Sequence, residues 1–187
     1  ADPRVELRTR PVHWLASPFQ HLSLYDPSEG GSTRKWVSAF PSDGPSDALF
    51  GDGGGYLQAE DKSPKDDPGV TVTAAYLSLG SVALSQQWSQ VLGAKDNFDN
   101  ESRTYCISPD LSAFFFPDCS GFNSNGWAIG LVNFMNFSIE PVVFRHAQVV
   151  EQVGGQPNVV QTPVEFDPGD FEHFPGITVP IPGSDFQ

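Results

Sequence analysis

The run Trp127-Ala-Ile-Gly-Leu-Val-Asn-Phe134 and the later run Val142-Val-Phe-Arg-His-Ala-Gln-Val-Val-Glu-Gln-Val153 together set the expected fold. The first is apolar on both faces at period two, as a buried strand reads, and the second is again strand-like. Beyond Gly154-Gly155 the chain carries a proline every few residues yet keeps its Val, Ile and Phe. Proline excludes helix interior and central strand, while so apolar a composition does not suit a disordered tail. These segments predict an all-β chain, an antiparallel β-sandwich of jelly-roll type. It carries one short helix and an extended C-terminal arm. Residues 1–153 form the sandwich domain, and 154–187 form an arm packed on that domain or on a neighbour.

The rest of the sequence fits that frame. Residues 1–11 read as an extended lead-in. Val12–Leu15, Phe19–Tyr25, Lys35–Phe40, Val70–Leu79, Tyr105–Ser108 and Leu111–Phe116 read as strands. Pro41–Gly69 reads as one long polar loop, anchored by Leu49, Phe50, Tyr56 and Leu57, and a loop of that length is usually functional or mobile. One helix is expected at Val82–Leu92, with Leu84, Trp88, Val91 and Leu92 on one face, Ser81 as its cap and Gly93 as its stop.

The composition, 39% hydrophobic with 18 Gly and 17 Pro in 187 residues, argues for a real core with many turns and little helix. The formal charge of −13 repels phosphate backbones, so nucleic acid is a poor partner for most of the surface. Arg4, Arg8 and Arg10 are the exception, a small basic segment near a chain start, Ala-Asp-Pro, that points to processing or an appended scar. Cys106 and Cys119 are the only cysteines and predict one disulfide closing a short loop. Asn100-Glu-Ser and Asn136-Phe-Ser are glycosylation sequons. Together these point to an oxidising, extracellular compartment.

Chemistry is harder to find. There is no Gly-x-Ser-x-Gly elbow, His-Glu-x-x-His, phosphate loop or Cys-x-x-Cys, and no cofactor is implied. His13, His21, His146 and His173 are scattered singly. Asp96, Asp99 and Glu101 crowd oxygen donors into one turn and are the candidate metal ligands, although the spacing is not that of an EF-hand. A nucleophilic serine beside a base would have to be assembled across the fold.

Ile129–Asn158, through Val143, Arg145, Val149, Val150 and Glu151 followed by Gln156-Pro157-Asn158, resembles the last part of the jelly-roll shell domain in nodavirus-like coat proteins of small icosahedral RNA viruses. The resemblance covers about a sixth of the chain and implies a non-enzymatic structural subunit. Such a subunit would assemble with copies of itself or companion subunits through its sandwich and arm. In that family a long basic arm binds the genome; here only Arg4, Arg8 and Arg10 could be its remnant. The alternative is a secreted glycoprotein that binds carbohydrate or a receptor through loop 41–69. A third expectation is a hydrolase whose residues meet only in three dimensions.

Overall fold

The computed structural model describes residues 3–11, 19–42, 55–61, 66–106, 121–151, 154–155 and 157–187. Its main element is a six-stranded antiparallel sheet built from β1 (Val5–Pro11), β2 (Gln20–Tyr25), β3 (Trp36–Pro41), β4 (Leu57–Glu60), β5 (Val72–Ser78) and β6 (Ser138–Pro141). The strand order is β4-β3-β2-β1-β5-β6. Two helices follow β5, α1 (Leu84–Asn97) and α2 (Ser124–Phe134). A second sheet pairs β7 (Val143–Glu151) with β8 (Pro157–Glu165), and a 3-10 turn spans Gly183–Phe186. The described residues are therefore mostly β, with two sheets and two α-helices.

Alternation explains the sheet. In β1, Val5, Leu7 and Thr9 are fully buried, while Arg8 and Arg10 on the opposite face are only partly so. The expected lead-in is thus a central strand, hydrogen-bonded to β2 on one side and β5 on the other. Leu22 and Leu24 of β2 oppose Thr9 and Leu7 and continue the same apolar face. The expected loop 41–69 also needs correction. Leu57 and Ala59 alternate inward, so Leu57–Glu60 pairs with β3 as the edge strand. Leu49, Phe50 and the expected strands Val12–Leu15 and Leu111–Phe116 lie outside the described residues, as does the whole stretch between the cysteines.

In place of the single short helix, the described residues form two. α1 buries Gln87, Trp88, Val91 and Ala94 on one stripe, but it starts after Ala83 with no side-chain cap and runs through Gly93 to Asn97. Trp127–Phe134 is not a strand. It lies inside α2, whose residues from Ser124 to Val132 are all buried. A helix surrounded by core has no polar face, so the hydrophobic pattern carries no period to read. The cap is the local cause of the helix: Asn123 Oδ1 accepts from the backbone N–H groups of Asn125 and Gly126, both at 3.1 Å.

The arm does not stay extended throughout. Its first part is β8, in full register with β7 from Glu151↔Pro157 to Val143↔Glu165. Phe166, Phe174, Ile177, Ile181 and Phe186 then enter the core that holds Trp88 and Trp127. The Ile181 N–H donates to the Gly126 carbonyl, so the arm lies directly on α2.

Candidate functional site

β2 and β3 pair at Leu24↔Val37 and Tyr25↔Trp36, and their register ends there. Past that point the N-terminus of α2 takes over the neighbouring position. Asn125 Oδ1 accepts from Leu22 N–H at 2.9 Å, and Asn125 Nδ2 donates to the Gln20 carbonyl at 2.9 Å. This wedge places the first residue of α2 beside the start of β2.

Ser124 Oγ lies 2.9 Å from His21 Nδ1. The other ring nitrogen, Nε2, lies 3.3 Å from Asp66 Oδ1, a charge contact long for a full hydrogen bond. The His21 ring stacks on Phe40 with centroids 5.0 Å apart, which fixes its plane. Asp66 accepts hydrogen bonds from Ser38 Oγ and from Arg10 Nε. Burial pushes the Asp66 carboxyl up, but His21, Ser38 and Arg10 together more than offset it and hold it below the ordinary carboxylate range. Asp66 is therefore an anion facing the imidazole. Ser124, His21 and Asp66 are 8%, 4% and 0% exposed.

Ser124 is also the first residue of α2, so its own N–H has no acceptor within the helix and sits at the positive end of the helix dipole. A hydroxyl, an imidazole, a carboxylate and a helix-terminal amide thus converge from three separate parts of the chain.

A second buried chain of polar groups runs beside this one. Thr9 donates to Gln20 Oε1 at 2.8 Å, Gln20 Nε2 meets His146 Nδ1, and the His146 ring packs edge-on against His173. His173 Nδ1 is bonded to Asp170 at 2.7 Å. Burial, then the neighbouring His173, push the His146 pKa down, so it is held neutral.

The residues singled out in the sequence fall elsewhere. Arg4 pairs with Glu140 and Arg10 with Asp66; Arg8 binds Glu6, Thr71 and Thr73. Each of the three is thus paired within the fold. Asp96 is held by both terminal nitrogens of Arg34, and Asp99 accepts from Glu101 N–H within a turn. Among the described residues no His, Cys, Asp and Glu group could hold a metal ion. Asn100 is exposed but its Oδ1 accepts from Ala59 N–H, whereas Asn136 is exposed in a left-handed turn at φ 57°. Cys106 is buried, and Cys119 lies outside the described residues. Among the described residues no helix is long and apolar enough to cross a membrane.

Sequence reasoning passed over Ser124 and Asp66. The available signal was Asn123-Ser124-Asn125-Gly126, a capping residue ahead of an apolar run. Nothing in the sequence ties it to His21 or Asp66. No family model and no curated protein matches the chain, and no solved structure matches the fold.

Proposed function

We propose that this chain is a serine hydrolase or acyltransferase, with Ser124 as nucleophile, His21 as general base and Asp66 as the group that orients and stabilises the imidazolium. The observation carrying this reading is the 2.9 Å contact from Ser124 Oγ to His21 Nδ1, with an ionised Asp66 on the far ring nitrogen. Roles and geometry identify such a set, whatever its order along the chain.

In the first step Ser124 Oγ attacks an acyl carbonyl carbon while its proton passes to His21 Nδ1. The developing oxyanion falls to the Ser124 amide at the helix start. His21 returns the proton to the leaving group as the carbonyl re-forms, leaving an acyl-serine. Water or another acceptor then repeats the sequence in reverse. Asp66 stays ionised throughout, its charge held by Arg10 and Ser38.

An alkyl fluorophosphonate tests this directly, because it phosphonylates only an activated serine. Intact-mass and peptide analysis should find one adduct, on Ser124. It should be absent in Ser124→Ala and slowed about 100-fold or more in His21→Gln. A folded protein that takes up no reagent would end the proposal.

A second reading keeps the structural subunit suggested by the coat-protein resemblance, with the two sheets as a sandwich or jelly roll. Val70, Val72 and Val143 favour it, since each remains at least 47% exposed and offers apolar surface to another copy. Light scattering on the native protein tests it: a monomer at high concentration would remove its support. The helical Ile129–Phe134 and the paired arginines count against this reading.

A further inference from the structure

We propose that Asn125 is the positioning residue that sets His21 against Ser124; this rests on the hydrolase reading above. Where the β2–β3 ladder stops, the main chain of β2 continues into the core and needs a partner for its peptide groups. The Asn125 carboxamide supplies one. Its Oδ1 accepts from Leu22 N–H at 2.9 Å, and its Nδ2 donates to the Gln20 carbonyl at 2.9 Å.

Those two peptide groups flank His21. A carboxamide presents one donor and one acceptor in a plane, as a backbone peptide does, so Asn125 stands in for a strand neighbour and grips the chain on both sides of the base. One bond would leave a pivot; two fix both position and rotation. Because Asn125 directly follows Ser124, the same clamp fixes the nucleophile relative to the base.

A third bond, from Nδ2 to the Pro175 carbonyl at 3.0 Å, ties the C-terminal arm into the clamp. Asn125 is 2% exposed, so its carboxamide and the β2 peptide groups it bonds are shielded from water and rely on each other, while the Pro175 carbonyl also accepts from Asn123 Nδ2. Helix capping does not account for it. Asn123 already caps α2, and one cap suffices.

Among the described residues the groups facing His21 are Ser124 from α2, Phe40 from β3, Asp66, and Arg10, its cross-strand neighbour on β1, which also pairs with Asp66. An extra negative charge at position 125 would join Asp66 in favouring the imidazolium. Asn125→Asp keeps the shape and the acceptor for Leu22 N–H, but it sets carboxylate oxygens against two carbonyls.

The test is the rate of fluorophosphonate labelling at Ser124 across pH, compared with Val91→Ala, a core truncation on α1 that lowers stability away from the site. Asn125→Asp should label about 10- to 100-fold more slowly, and the pH midpoint of labelling should move upward as the base becomes harder to deprotonate. Val91→Ala should melt lower and label at the native rate with the native midpoint. Slower labelling of Asn125→Asp at an unchanged midpoint would reduce Asn125 to a structural role and overturn the proposal. Native-rate labelling would overturn it equally.

If the aspartate variant does not fold, Asn125→Ala is compared with Val91→Ala at matched melting temperature. A further loss of labelling supports the clamp, and equal labelling rejects it. Failure of the unsubstituted protein to label at all would instead sink the hydrolase reading, and this inference with it.

Discussion

The two helices share one core, but it takes very different fractions of their surfaces. α1 buries a single stripe, Gln87, Trp88, Val91 and Ala94, and leaves its other side to solvent. α2 buries every residue from Ser124 to Val132. Glycine shows the contrast most plainly. A methyl group at Gly93 of α1 would meet nothing within 4 Å. At Gly126 it would come within 2.4 Å of the Val179 carbonyl oxygen, and at Gly130 within 2.6 Å of the Ile181 carbonyl oxygen. The glycines of α2 are therefore contact surface: they let the C-terminal arm lie against the helix backbone. A half-buried helix can tolerate change over its open face, whereas a fully enclosed one ties its N-terminus, and with it Ser124, to everything packed around it.

The most severe way to break that contrast is to remove the cover of α2. A chain ending at Glu165 loses Phe166, Phe174, Ile177, Ile181 and Phe186, all at most 2% exposed. At about 1.5–3 kcal/mol for each buried side chain, the loss is comparable with the whole net stability of a typical domain. Circular dichroism should show no cooperative melt. A truncated chain melting near the full-length temperature would mean that α2 does not depend on the arm.

A gentler perturbation acts at one contact. Gly130→Ala places its methyl 2.9 Å from both Cβ and N of Ile181 as well as against the carbonyl. Overpacking of this kind costs about 1–3 kcal/mol, which lowers the melting temperature by about 2–12 °C in a chain of this size. An unchanged melting temperature would show that the arm can shift aside freely.

The arm side of the molecule should also respond to acid. His146 is 2% exposed and its pKa is pushed below the ordinary 6.5. The unfolded chain therefore binds this proton more readily than the folded one. The contribution of neutral His146 is fully present above about pH 6.5 and is lost as pH falls below that value. His146→Gln removes the titration, so its melting temperature should fall less between pH 7 and 5 than that of the unsubstituted protein. Parallel curves would show that His146 contributes nothing to acid sensitivity.

The smallest effect has the opposite sign. Gly93→Ala on the open side of α1 should raise stability by about 0.5–1 kcal/mol, since alanine restricts the unfolded chain and meets no obstacle in the folded one. Loss of stability there would mean that α1 is more enclosed than its neighbours indicate.

Much of the sheet was legible in the residues. The expected strands Phe19–Tyr25 and Val70–Leu79 contain β2 and β5, and Lys35–Phe40 covers all of β3 but Pro41, because alternating polar and apolar residues leave a period-two pattern. α1 was legible for the matching reason, one apolar stripe at helical spacing. α2 was not: enclosure on every side erased the period, and a run rich in Ile, Leu and Val passes equally well for a strand. The length of the polar stretch 41–69 hid Leu57–Glu60 and the buried Asp66.

The sequence by itself determined that apolar residues and turns would build a β-rich core, and that the arm was too apolar to be an idle tail. It also carried the means to start α2, in Asn123. Only the tertiary structure decided which carboxylate would meet which histidine. His21, Asp66 and Ser124 become neighbours because β2 parts from β3 and the start of α2 fills the gap. Local patterning sets what each segment can form. Proximity between distant polar groups is set by how the segments close around one another, and no periodicity records it.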